Sequence, residues 1–249
     1  MRKRLITSVF LVGLLAVIGI VNNLYLTKMV IAFIAIAGMF EAKKLFDFND
    51  ERIFYFLTVL SIGAVFINPI FVGIIGILSV AGYISFYQKE INNISIAFYP
   101  FLPLMFLIGL YINKGMAVLG WLIVIIALTD SLAYVVGKNF GKKFIKIGFC
   151  NTSPNKTWEG VLGGIVSGGI AGAFVGMFFY NFTQALIISF FVSVASVFGD
   201  LFESYLKRKA GVKDSGNILP GHGGILDRID GYLFGAPLMW AMIFAMGSL

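Results

Sequence analysis

The chain has 249 residues, of which 59% are hydrophobic and only 12% charged, and it carries a formal net charge of +7. With a mean hydropathy of +0.94, this make-up excludes separate soluble domains and places the chain among polytopic membrane proteins. A nucleic-acid footprint would need a basic face on a water-soluble body, and the single cysteine, Cys150, excludes an internal disulfide and has no Cys or His neighbour at metal-ligand spacing.

The opening segment, Met1 to Asn23, has the basic start and apolar run of a signal peptide. No small-x-small cleavage site precedes the next apolar run, so it reads as a retained first span. A spanning helix needs about 20 mainly apolar residues, fewer where flanking groups reach the interface. That rule predicts an all-α polytopic membrane bundle of about nine transmembrane helices: Leu5–Val21, Leu24–Phe40, Ile53–Ile67, Ile70–Tyr87, Ile96–Ile112, Met116–Gly137, Gly160–Tyr180, Gln184–Leu206 and Ile229–Met246. Glu41 to Arg52 mixes acids and bases and reads as a solvated loop. Asn68-Pro69 marks a tight turn, and Pro100 and Pro103 are expected to kink the fifth span or delay its start.

Basic residues test this count, because cytoplasmic loops carry the excess of Lys and Arg. With the N-terminus inside, every one of the 19 Lys and Arg residues except Lys28 and Lys114 falls on the cytoplasmic side. The polar stretch Ser204 to Asp230 lands there too.

Span seven repeats glycine at every fourth position: Gly160, Gly164, Gly168, Gly172 and Gly176. In lipid such a stripe allows close backbone approach by another helix. Gly231 and Gly235 imply the same in span nine, and the two faces are expected to bundle the C-terminal helices. Without the lysine of a phosphate loop, none of this spacing is a nucleotide motif.

Chemistry gathers between spans eight and nine. Asp200, Glu203, Ser204 and Lys207 stand at i, i+3, i+4 and i+7 and share one helical face. At about 1.5 Å per residue, Asp200 lies roughly 10 Å deeper than Lys207. A carboxylate below the interface is costly and faces a partner or a wet cavity, whereas Glu203, nearer water, fits a helix-end charge that snorkels. In the following loop, Gly216, Gly221, Gly223 and Gly224 let backbone N–H groups approach an anion closely. Lys207, Arg208, Lys213 and Arg228 add positive charge beside Asp214, Asp227 and Asp230. Cations for phosphate together with acids for a divalent metal point to a metal-bound nucleoside triphosphate. Asp227 and Asp230 project from the first turn of span nine, where the helix dipole favours ionised carboxylates; helix capping is their structural alternative. His222 is either a phosphate contact or structural filler. Asp130 is a second intramembrane acid, with helix-to-helix hydrogen bonding as its alternative role. Ser153, Asn155, Lys156, Thr157 and Glu159 precede span seven, where exposed N–H groups can bind an anion, and Lys156 can reach a phosphate. No Ser-His-Asp or Cys-His arrangement is legible, which disfavours a covalent nucleophile.

The spacing of Ser204, Lys207, Arg208, Lys213, Asp214, Leu219, Pro220, His222, Gly223, Gly224, Asp227, Arg228 and Asp230 closely resembles the signature of phosphatidate cytidylyltransferases, also called CDP-diacylglycerol synthases. Asp130, Tyr134 and Gly137, and the run from Ser153 to Gly160, extend the resemblance, which covers roughly the C-terminal half.

The resemblance implies one integral-membrane domain over residues 1–249, with N-terminal spans in 1–112 and a catalytic half in 113–249. It implies the reaction of CTP with phosphatidate to give CDP-diacylglycerol and pyrophosphate, at the cytoplasmic face of the inner (plasma) membrane. Asp200 and Asp227 would converge on Mg²⁺, with a second cation allowed by the number of acids. Catalysis would rest on those two acids and Lys207. Substrate binding would fall to Ser204, Lys156, Arg208, Lys213, Asp214, His222, Gly223, Gly224, Arg228 and Asp230. The implied partners are the two substrates and membrane lipid, with no nucleic acid, and a homodimer is left open. Two rivals share part of the pattern: a CTP-dependent polyprenol or phytol kinase, and an ion or anion transporter using Asp130 and Asp200. A transporter is expected to show internal repeats, and no clear repeat is present.

Overall fold

The computed structural model describes residues 2–247. Among them are nine α-helices, one at each predicted place: α1 (Arg2–Val21), α2 (Leu24–Leu45), α3 (Glu51–Gly63), α4 (Pro69–Tyr87), α5 (Leu102–Lys114), α6 (Met116–Phe140), α7 (Trp158–Gly176), α8 (Phe182–Lys209) and α9 (Leu226–Met246). No strand occurs among the described residues. Among the described residues, seven helical stretches are long and apolar enough to cross a membrane, and α3, with 13 residues, is shorter. This is the build of a multi-pass membrane protein. The side chains of Arg2, Lys3 and Arg4, counted above among the basic residues, lie outside the described set.

The helix starts follow from local chemistry. Asn23, Asp50, Asn68 and Thr157 each accept a hydrogen bond from a first-turn N–H of the helix they precede, relieving the unpaired donors there. Pro69 fills the first position of α4, where it loses no helical bond. The expected disturbance in span five is present. Tyr99 leaves helical geometry (φ −148°, ψ 112°) beside Pro100, and α5 starts only at Leu102.

The chain forms two compact units. One comprises everything through Met116 together with Leu206–Ile229; the other comprises Ala117–Tyr205 and the chain from Asp230 onward. In the first unit α2 packs on α3 and α5, and α4 packs on α3 and α5. Met39, Ala42, Leu57, Phe101, Met105 and Ile108 fill its centre, fully buried. The polar stretch after α8 belongs to this unit.

The second unit is organised by small residues. A side chain at Gly164 would collide with the Thr129 carbonyl (2.6 Å) and Ala133 (2.7 Å), and one at Gly176 with Trp121 (2.5 Å) and Ala185 (2.8 Å). The α7 stripe therefore brings α6 and α8 into near backbone contact. Buried polar groups complete the seam: Trp121 Nε1 donates to the Gly172 carbonyl (2.7 Å) and lies 3.1 Å from Ser189 Oγ, and Thr129 Oγ1 lies 3.1 Å from Ser193 Oγ. Gly231 and Gly235 of α9 lie against Ile126 of α6, with Ser196 and Val192 of α8 alongside. The glycine faces bundle the C-terminal helices as expected.

Candidate active site

In the second unit, two residues of the helical face read from the sequence, Asp200 and Ser204, meet. Ser204 Oγ lies 3.3 Å from Asp200 Oδ1, one turn back on α8. Lys156, from the loop before α7, forms an ion pair with Asp200 Oδ2. Asp130 of α6 is within electrostatic reach of Asp200, Asp230 and Lys156, and Tyr232 of Asp130 and Asp230. Asp130 of α6 is thus the group on which charges from α8, α9 and the loop before α7 act together. The Asp200 side chain keeps 35% of its surface exposed, so it remains open to a ligand. Glu203 differs from expectation. It is fully buried, at 0% exposure, because its position on α8 turns inward instead of towards water.

Lys156 is held by its own loop. Thr157 caps α7 through the Gly160 N–H (3.1 Å), and Phe149 N–H donates to the Lys156 carbonyl (2.8 Å). Glu159 accepts from the N–H groups of Lys142 (3.2 Å), Phe144 (3.0 Å) and Ile145 (2.8 Å). The role of Glu159 is therefore to satisfy the loop that follows α6.

In the first unit, Asp227 is the hub of the signature loop. Its Oδ1 lies 2.6 Å from Lys207 Nζ, and its Oδ2 accepts from Ser215 N (2.9 Å), Ser215 Oγ (2.9 Å) and Gly224 N (2.8 Å). Its side chain is only 8% exposed. The loop folds back at Leu219–Gly223, where Leu219 N donates to the Gly223 carbonyl (3.0 Å) and His222 N to the Leu219 carbonyl (2.9 Å). Gly221 (φ +79°) and Gly223 (φ +86°) supply the left-handed backbone this turn requires. Arg228 donates from Nε and an NH₂ group to the His222 carbonyl (3.2 and 2.8 Å), so two of its five donors pin the turn. Arg208, Lys213 and Asp214 are exposed around this core, and His222 is half-buried.

One reading needs correction. The stretch from Glu41 to Arg52 is not a solvated loop throughout: α2 continues to Leu45, Glu41 is 4% exposed, and Asp50 and Phe48 are buried as well. Around the loop glycines, backbone N–H groups meet carboxylates of the chain itself. Ile225 N donates to Glu41 Oε1 (3.0 Å), while Leu226 N (2.9 Å) and Ser215 Oγ (3.1 Å) meet Oε2. A Cβ at Gly216 would lie 2.3 Å from Glu41 Oε1, and one at Gly224 2.4 Å from Oε2. The backbone N–H groups at the end of the loop meet the chain's own carboxylates, Glu41 and Asp227. Sequence reasoning missed Glu41. The available signal was its place at the end of an apolar run, where the next charges, Lys43 and Lys44, drew the reading towards solvent.

Both proposed metal-binding carboxylates now hold a lysine, Asp200 in one unit and Asp227 in the other. Among the described residues no group of three or more His, Cys, Asp or Glu is arranged to hold a metal alone. Asp200 and Asp227 each present a carboxylate, the hard oxygen donor that Mg²⁺ takes.

The model of the cytidylyltransferase family matches residues 2–246. A Helicobacter pylori protein named phosphatidate cytidylyltransferase is 40% identical over 248 residues, covering 98% of this chain and 92% of its own length. A protein of the same name from Aquifex aeolicus is 34% identical over 200 residues, covering 79% of this chain and 74% of its own. One from Bacillus subtilis reaches 45% over 132 residues, covering 52% and 48%. The similarity thus reaches beyond the C-terminal signature into the helices that carry Glu41 and the buried core of the first unit, and the chain belongs to the cytidylyltransferase family.

Proposed function

We propose that this chain catalyses cytidylyl transfer from CTP to phosphatidate, giving CDP-diacylglycerol and pyrophosphate, at the cytoplasmic face of an inner (plasma) membrane that it crosses about nine times. The observation that carries the reading is identity of 40% along 98% of the chain with a protein bearing that name. The polar loop supports it, since it concentrates acids and cations beside apolar helices.

A phosphatidate phosphate oxygen attacks the α-phosphorus of CTP in line, and the bond to the pyrophosphate leaving group breaks. The attacking oxygen is already anionic at neutral pH, so the chain need supply no strong general base. Asp200 and Asp227 are the carboxylates we assign to Mg²⁺. When bound, the ion neutralises charge on the triphosphate and the departing pyrophosphate. Lys156 and Lys207, now paired with these carboxylates, become available to phosphate oxygens as the substrates enter. Arg208 and Lys213 draw the anionic substrates to the loop, and Ser204 holds Asp200. Asp214, His222, Gly223, Gly224, Arg228 and Asp230 are the further residues we assign to substrate binding, with Arg228 keeping the His222 turn closed. The number of acids around Asp130 leaves room for a second cation.

The test is pyrophosphate release from purified protein in detergent micelles containing CTP, phosphatidate and Mg²⁺. Release that requires phosphatidate, and that falls by at least about 100-fold in both Asp200→Asn and Asp227→Asn, supports the assignment. CDP release in place of pyrophosphate would move it to a lipid kinase.

A further inference from the structure

We propose that Glu41 is a positioning residue for this reaction: from α2 it caps the N-terminus of α9 and so fixes the carboxylate of Asp227. The inference rests on the reading above and adds a residue to it that lies far from the signature loop in sequence.

The first turn of any helix leaves N–H groups without intrahelical partners. A Ser, Thr, Asp or Asn just before the helix ordinarily takes them. The residue before α9 is Ile225, which has no group to offer. Glu41, 184 and 185 positions away, accepts from the N–H groups of Ile225 and Leu226. The next residue is Asp227. Ser215 ties the two carboxylates together, with Oγ 3.1 Å from Glu41 Oε2 and 2.9 Å from Asp227 Oδ2.

Simple core filling does not account for this. An apolar side chain would fill the same space without bringing a charged group to 4% exposure, an arrangement that is costly unless the group is fully hydrogen-bonded. The loop is shaped to admit the carboxylate, because a side chain at Gly216 or Gly224 would occupy its place. What Glu41 fixes is the rotation and entry point of the helix turn that carries Asp227. A misplacement of about 1 Å at a reacting centre can cost about 100-fold in rate.

The experiment compares full-length wild type with Glu41→Gln, Glu41→Asp and Ser215→Ala in phosphatidate-containing micelles, recording kcat and KM with the folded fraction of each. In parallel, hydrogen exchange is followed for the amides of Ile225 and Leu226. Glu41→Gln, which offers one acceptor where two are used, is expected to lower kcat by about 10- to 100-fold. Its KM for CTP should stay within about threefold of wild type, and Ile225 and Leu226 should exchange faster while α4 does not. Glu41→Asp, which keeps both oxygens on a shorter stem, should recover part of the loss. Wild-type kcat in Glu41→Gln, or a loss matched by a loss of folded protein, overturns the proposal. Failure of the wild type to release pyrophosphate would instead overturn the assigned reaction. The exchange measurement would still decide on Glu41, since unchanged rates at Ile225 and Leu226 mean that it caps nothing.

Discussion

Lys207 Nζ lies 2.6 Å from Asp227 Oδ1, and the two side chains are only 13% and 8% exposed. The pair joins the last turn of α8 to the first turn of α9 within one compact unit. Removing one partner of a buried pair strands the other charge, which costs far more than the pair contributes.

Lys207→Met should therefore destabilise the protein by about 3 kcal/mol. The double variant Lys207→Met/Asp227→Asn should recover part of that stability while remaining inactive. Unfolding midpoints in detergent, read beside pyrophosphate release, separate the two effects. A double variant no more stable than Lys207→Met would mean that the ion pair is not what holds the loop.

Glycines in the second unit give a sharper contrast. A Cβ at Gly168 would stand 2.0 Å from Thr129 Oγ1 and 2.9 Å from Ser193 Oγ, so Gly168→Ala must push α6 and α7 apart. It is expected to destabilise by about 1 to 3 kcal/mol, as overpacking does. Gly120, on α6, has nothing within 4 Å of the same added atom. Gly120→Ala should be neutral or stabilising by up to about 1 kcal/mol, the difference in helix propensity. Thermal unfolding of the two single variants checks both signs at once.

These cases show what was legible in the sequence. Hydropathy located the helices because crossing lipid demands long apolar runs, and glycine spacing marked the packing face of α7 because close approach demands small residues at a helical period; that α6 and α8 are the helices it meets came from the structure. The face joining Asp200 to Ser204 followed from helical geometry alone. Glu41 did not, since the two N–H groups it accepts from and the Ser215 hydroxyl it meets belong to residues 174 to 185 positions away, a relation set by tertiary packing. Glu203 failed for the same reason. Distance along α8 predicts depth, but which face meets neighbouring helices depends on how they cross. Arg228 was legible as a cation, yet its bonds to the His222 carbonyl arise from a turn at Gly221 and Gly223 that composition could only allow.

Glu159 offers a prediction independent of activity. Its carboxylate accepts three backbone N–H groups between Lys142 and Ile145, and hydrogen bonds to an ionised acceptor are stronger than neutral ones. Glu159→Ala should open this segment, so that trypsin cleaves after Lys142 or Lys143 at least about tenfold faster, in proportion to the opened population. Equal cleavage rates in variant and wild type would remove Glu159 from this role.

The orientation proposed for the site can be read through Cys150, the chain's one thiol. It is part-exposed in the loop between α6 and α7, beside Phe149, whose N–H bonds the Lys156 carbonyl. Lys156 in turn pairs with Asp200 in the same unit. Labelling at Cys150 therefore reports the side of the membrane to which Asp200 opens. Lys142, Lys143, Lys146 and Lys156 of this loop, with Lys138 in the last turn of α6, are the basic residues on which the proposed cytoplasmic orientation rests. A membrane-impermeant maleimide should label Cys150 in inside-out vesicles and leave it unlabelled in intact cells, with Cys150→Ser as the blank. Labelling in intact cells would put Asp200 on the wrong side for cytoplasmic CTP, and the proposed reaction would lose its nucleotide supply.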